Sequence, residues 1–297
     1  MAVIQITNPY LPDGYRWLKG NLHTHTTNSD GELSPAAIIT EYEKRDYDFL
    51  AISDHDTYVD PHLYQPHTRM ILLPGVEVSA GGPHVLQIGA EQRLEPIADR
   101  RQVIDEIVAR GGFAVLNHPN WERHFNHFPQ EQMQSLDAAT GLEVYNGVIE
   151  RLEGNALAAD RWDRLLSINH WLWAFANDDA HLAGDIGKAW NVVQVTGQTS
   201  QAVLEGLRHG RFYASTGVKV CDVRTDGLQI TVHTNDAQRI RFVSRWGIIR
   251  ASTDGTQGSY RLPDDTSLAR ELGYIRAECY GAGGQVAWTQ PLKIDVM

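Results

Sequence analysis

Two histidines separated by one residue, with an aspartate five positions further on, occupy the stretch "GNLHTHTTNSDGELSP" at residues 20–35: His23, His25 and Asp30. Imidazole nitrogen and carboxylate oxygen are ligand atoms for divalent metals. Residues i and i+2 of a strand face the same side, so His23 and His25 project together from the end of the short run that precedes them. A lone His-x-His is a common surface pattern, and what gives this one weight is recurrence. His55 in "SDHD" follows the apolar run 49–53, and Glu77 stands near the end of the run 70–79. His118 in "NHPN" follows the run 113–117, and "NDDAH" sets Asp179 and His181 just after 172–177. Barrel active sites gather at the C-terminal ends of strands, which is where these residues fall. His84 instead opens the run 84–90, and reaches the same mouth if its strand is reversed.

The elements that must position these side chains alternate in kind. Up to about residue 215, short apolar runs separate longer helical patterns, the grammar of successive βα units and a largely parallel sheet or barrel. Ser34 and Pro35 read as the cap and first residue of a helix running to about residue 45, with Ile38, Ile39 and Tyr42 on one face. Pro96 introduces a second helix whose stripe Val103, Ile104, Ile107 and Val108 is core packing, and residues 155–166 and 200–208 predict two more. From 216 onward, short alternating segments are separated by Asp-Gly, Asn-Asp and Gly-Ala-Gly-Gly turns, which predicts a small all-β, sandwich-like domain at 216–297 after a barrel domain at 1–215.

Composition bounds the function. Lys and Arg number 26 against 37 Asp and Glu, a formal net charge of −11, so an extended nucleic-acid surface is excluded and a small substrate is expected. No apolar run approaches the roughly 20 residues of a membrane span, and the first residues lack the pattern of a signal peptide, so a cytoplasmic location is the default expectation. Cys221 and Cys279 read as reduced thiols.

Taken together, "LHTHTTNSDG", "ISDHD", "PGVEVS", the histidine of "HVLQIG", "NHP" and "NDDAH", in that order over residues 20–190, resemble the PHP (polymerase and histidinol phosphatase) superfamily. The resemblance implies a distorted (βα)7 barrel with two or three divalent ions (Mn, Zn or Fe) at its mouth. Carried over position by position, His23, His25, Glu77 and Asp179 would hold one ion; Glu77, His84 and His118 a second; Asp30, His55 and His181 a third. Glu77, Asp179 and His181 are the residues implied to be catalytic. Many relatives carry histidine where this chain has Asp30. The C-terminal part, with "LRHGRFYASTG" and "AWTQP", is similar to the β-rich extension of the family's carbaryl-hydrolase-like branch.

Three divalent ions outweigh the carboxylates of Asp30, Glu77 and Asp179, so a loaded site attracts an anionic substrate. Close-set ions also lower the pKa of a bridging water and stabilise charge on the attacked centre, which removes the need for a protein nucleophile. The expected activity is hydrolysis of a small phosphomonoester or phosphodiester by a metal-bound hydroxide. Hydrolysis of a carboxyl ester, carbamate or amide is the alternative, and a non-catalytic binding module the alternative of another class. Asp54, Asp56 and Asp178 read as turn formers or outer partners of the ligands. His62, His67, His124 and His127 lie in loop-like stretches and are expected to be exposed, as are Arg123, Lys188, Arg208 and Arg211.

Overall fold

Every apolar run between residues 49 and 196 forms a strand in the computed structural model of the chain, which describes residues 3–297. The strand Arg16–Asn21 leads into His23 and pairs in parallel with Phe49–Ala51, which pairs in parallel with Ile71–Leu73. Pro74 cannot donate to a ladder, and there the chain passes into a second sheet. That five-stranded sheet is ordered Gly75–Val78, Val85–Ile88, Phe113–Leu116, Gly141–Asn146, Trp173–Asn177. Val85–Ile88 runs antiparallel to both of its neighbours, so His84, at its start, lies at the same end of the sheet as residues that follow the parallel strands.

The two sheets enclose a core in which Leu22, Phe49 and Val193 meet Leu86, Phe113 and Phe175, all fully buried. Helices flank it. Pro35–Glu43 is capped by Ser34 and buries Ile38, Ile39 and Tyr42. The helix introduced by Pro96 begins only at Arg100, because the carboxylate of Asp99 accepts from the amides of Arg101 and Gln102. Gln130–Gln134, Ala159–Ser167 and Ser200–Arg208 are the other α-helices before residue 216 among the described residues.

The expected (βα)7 barrel is not closed by a continuous ladder among the described residues. At the open edge of Trp173–Asn177, side-chain amides take the place of a neighbouring backbone. Asn191 bonds both the N–H and the C=O of Ala176, at 3.1 and 2.9 Å, and Gln290 does the same for Ala174, at 2.8 and 2.9 Å. Each buried amide satisfies two backbone groups that would otherwise lack partners in a dry seam.

Beyond Ser215 the sheet does not stop. Phe212–Ser215 pairs with Val286–Thr289, and the N-terminal strand Ile4–Thr7 pairs with Leu292–Val296, so one 11-stranded sheet spans both halves of the chain. A three-stranded sheet of Val220–Asp226, Gln229–Thr234 and Gln257–Arg261 packs on it through Val223, Ile230 and Val232 against Ile240, Phe242 and Ile275. The sandwich-like part is not purely β: Thr266–Leu272 is a helix, started by the side chain of Asp265, which the alternating pattern around it masked. Cys221 and Cys279 are free thiols. No helix among the described residues is long and apolar enough to cross a membrane.

Candidate metal centre

The nine residues singled out from the sequence converge at one mouth. Two of them, His118 and Asp179, sit just past strand ends with left-handed backbone (φ 28° and 53°), a conformation that non-glycine residues adopt only when the surroundings impose it. After His25 the chain folds back so tightly that a Cβ at Gly31 would lie 2.5 Å from the His25 carbonyl oxygen, and that reversal carries Asp30 over the cluster. Asp54 fastens the same loop, accepting from the amide and hydroxyl of Thr26 and the hydroxyl of Ser29, each at 2.6 Å.

Glu77 is the centre of the arrangement. Its Oε1 lies 3.2, 3.1 and 3.2 Å from nitrogens of His23, His84 and His118, and its Oε2 lies 2.9 and 3.4 Å from nitrogens of His55 and His25. Asp179 Oδ1 stands 3.1 and 3.0 Å from Nε2 of His23 and His25. Asp30, more exposed, brings Oδ2 within 3.3 Å of His181 and 3.6 Å of His55. Ligands about 2.1 Å from a shared ion stand about 3.0 to 3.4 Å apart along octahedral and tetrahedral edges, so most of these separations fit a metal polyhedron. The buried Nε2 atoms of His23 and His25, Nδ1 of His55 and Oδ1 of Asp179 have no hydrogen-bond partner among the described residues, which is what a coordinating lone pair requires. The donor set therefore fits divalent ions on spacing and on chemistry.

Four groups account for most of this geometry: His25, Asp30, His55 and His181; His23, His25 and Asp179; His23, Glu77 and His118; His55, Glu77 and His84. Although burial opposes it, the neighbouring imidazoles hold the Glu77 carboxyl well below the usual range. Burial likewise opposes ionisation of His23, and the carboxylates of Asp179, Glu77 and Glu143 overcome it and raise its pKa.

Two residues at the site are additional to those read from the sequence. Glu143, fully buried in the strand Gly141–Asn146, accepts from Nδ1 of His23 at 2.8 Å and from the His118 amide at 2.9 Å. Asn177 and Asn146 donate to it at 2.9 and 2.8 Å. It lies within a strand that is buried on both faces, so the sequence held no local signal for it. His127 corrects an expectation: it is only 9% exposed, because its ring packs on His84, His118 and Trp121. Its Nε2 accepts the His84 amide at 3.0 Å, while burial and the rings of His118 and His84 push its pKa down to about 2.

The other side chains stay outside. Asp178 is buried, accepts from the amides of Gly187, Lys188 and Ala189 and from the Tyr42 hydroxyl, and burial raises its carboxyl to about 6. Asp56 accepts from Ser79 and Ala80. His62, His67, His124, Arg123, Lys188 and Arg208 are exposed, and Arg211 is half-buried.

Residues 169–212 match the model of a family described as PHP-associated. No curated protein matches the chain. Among solved structures, a two-domain protein containing a predicted PHP-like metal-dependent phosphoesterase, from Bacteroides vulgatus ATCC 8482, aligns over 97% of this chain and 98% of its own with 17% identity and a TM-score of 0.56, and so has the same fold. An amidohydrolase from Chromobacterium violaceum aligns over 56% of this chain and 88% of its own (19% identity, TM-score 0.41). A lesion-specific endonuclease from Pyrococcus furiosus aligns over 66% and 56% (18% identity, TM-score 0.45).

Proposed function

We propose that this chain, whose PHP-associated segment and fold support a place in the PHP superfamily, is a metal-dependent hydrolase cleaving a small, anionic phosphomonoester or phosphodiester. The observation that carries the reading is Glu77, one buried carboxylate whose two oxygens face nitrogens of His23, His25, His55, His84 and His118. A structural ion pair would need one such partner.

In this reading His23, His25, Glu77 and Asp179 hold one ion, Glu77, His84 and His118 a second, and Asp30, His55 and His181 a third. Mixed nitrogen and oxygen donors suit Mn, Zn or Fe. Bound there, the ions supply the Lewis acidity that activates water and offsets charge on the attacked centre. The chain supplies the rest. Glu143 accepts a hydrogen bond from Nδ1 of His23 and leaves Nε2 free to face the cluster. The carbonyl of Asp179 does the same for His181, accepting from its Nδ1 at 2.8 Å. Glu77 and Asp179 fix the spacing of the centre, and His181, with a side chain 20% exposed, is one of the ligands that line the open cavity. We assign the hydrolase chemistry to residues 1–215, which carry every proposed ligand, and read the β-rich remainder as the extension of the carbaryl-hydrolase-like branch.

Protein supplemented with Mn, Zn or Fe is expected to release phosphate from members of a broad phosphoester panel, and EDTA to abolish the release. Turnover confined to nitrophenyl acetate or naphthyl carbamates would move the reaction to carbonyl esters, and turnover of neither class would overturn the reading.

A further inference from the structure

The cavity above the cluster, about 380 Å³, has two unlike walls. The inner wall is the ligand set. The outer wall is built from Trp121, Val148, Ile149, Leu152 and Leu182. Three of these come from one short stretch, the turn Val148–Arg151 and the residue after it, which follows the strand Gly141–Asn146. Leu152 is 43% exposed, a large apolar side chain held at the rim of a polar site.

Two charged side chains interrupt this wall, Arg151 and Glu32. The Nε and Nη2 of Arg151 donate to the two carboxylate oxygens of Asp185, both at 2.9 Å. Asp185 also accepts the amides of His181 and Leu182, at 3.0 and 3.1 Å, so the pair is fixed in place and its charges cancel. Glu32 then leaves the wall acidic. A second anionic group on the substrate meets no uncompensated cation there. The cavity lining includes no Ser, Thr, Asn, Gln or Tyr, so on this wall sugar or glycerol hydroxyls find side-chain partners only at Glu32, Arg151 and the Trp121 indole N–H, while Val148, Ile149, Leu152 and Leu182 offer none.

We infer that the substrate's organic group is apolar and compact, about the size of one aromatic ring, seated between Trp121 and the 148–152 turn, and that nucleotides and sugar phosphates are discriminated against. The inference rests on the proposed function only for where the scissile bond lies.

Benzyl phosphate and glycerol 3-phosphate both release primary alcohols, so a comparison of kcat/KM reads the wall and not the leaving-group chemistry. The metal-loaded protein is expected to favour benzyl phosphate by about 10-fold or more, the discrimination a small difference in apolar contact gives. Leu152→Asp, at an exposed position where the fold tolerates the change, is expected to narrow that ratio several-fold; a melting curve checks that the variant is folded. A ratio of one or less, or a ratio that Leu152→Asp leaves unchanged, overturns the inference. If neither ester is turned over, calorimetry decides the inference separately from the broad panel that tests the proposed function. Benzylphosphonate must then bind the loaded protein more tightly than 2,3-dihydroxypropylphosphonate, and equal or weaker binding overturns it.

Discussion

Glu143 lies beneath His23, with Oε1 2.8 Å from Nδ1 and neither side chain exposed to solvent. Because a carboxylate can only accept, Nδ1 carries a proton, and Nε2, which faces Glu77 and Asp179, is the nitrogen whose lone pair would be offered to an ion. Such outer carboxylates fix the tautomer and raise the basicity of a ligating histidine. Glu143→Gln removes the charge while keeping the shape, and metal affinity is expected to fall about 10- to 100-fold, measured by competition with a chromogenic chelator. Unchanged affinity would refute the role given to Glu143.

Glu77 belongs to two of the ligand groups of the site, so its loss should be felt as lost stoichiometry as well as lost affinity. Glu77→Gln is expected to bind at least one ion fewer per chain by elemental analysis. Its kcat should fall by more than the roughly 100-fold expected of an outer partner. Full stoichiometry in the variant would remove Glu77 from the bridging position.

How much of this was legible in the sequence depended on what each residue relies on. His23, His25, His55, His118, Asp179 and His181 follow strand ends, and strand ends are visible as the close of an apolar run. His84 was legible once its strand was allowed to run backwards, as it does. Glu143 lies inside a strand, where nothing local separates a functional carboxylate from one facing solvent. His127 is buried by Trp121 and His118 of its own loop and by His84 from another strand, so its burial depends on how that loop folds over the site. The seam closed by Asn191 and Gln290 is of the same kind: the two amides meet Trp173–Asn177 from positions up to 116 residues away. The helix Thr266–Leu272 was missed for a different reason, being only seven residues long in a stretch of strand-like spacing.

Metal binding should also stabilise the fold. The cluster exists only in the folded chain, and a ligand that binds only that state at 100 times its Kd adds about 2.7 kcal/mol. Scanning calorimetry should therefore show Tm rising by several degrees on adding Mn or Zn and returning with EDTA. A Tm indifferent to both would indicate that the imidazoles and carboxylates hold the site together without ions.

Asp163 and Arg276 join the two halves of the chain through a buried bidentate pair, 2.9 Å at Nε and 2.7 Å at Nη2. The Tyr274 hydroxyl donates to the same carboxylate at 2.7 Å, and the guanidinium lies 4.9 Å from the Trp162 ring centroid. Asp163→Ala leaves a guanidinium whose side chain is 1% exposed with Glu278 as its remaining carboxylate, and removing one partner of a buried pair costs about 3–5 kcal/mol. Urea denaturation is expected to show a loss of that order, whereas Asp163→Ala with Arg276→Met should recover part of it. A loss under about 1 kcal/mol would mean water reaches Arg276 in the variant.

The partner of Arg276 on its other side gives a pH dependence. Glu278 accepts from Nη1 of Arg276 at 2.8 Å and from the Tyr280 hydroxyl at 2.5 Å. Burial works to raise its pKa, but the charge of Arg276 outweighs burial and holds the carboxyl below its usual value. A carboxyl depressed in the folded state binds its proton first in the unfolded chain, so its contribution is complete above the unfolded value of about 4.3 and fades as pH falls through the folded one. Wild type and Glu278→Gln, both stripped of metal with EDTA, should differ in urea midpoint at pH 7 and converge below about pH 4. Curves that stay parallel down to the acid transition would show that Glu278 titrates alike in both states, and that Arg276 answers to Asp163 alone.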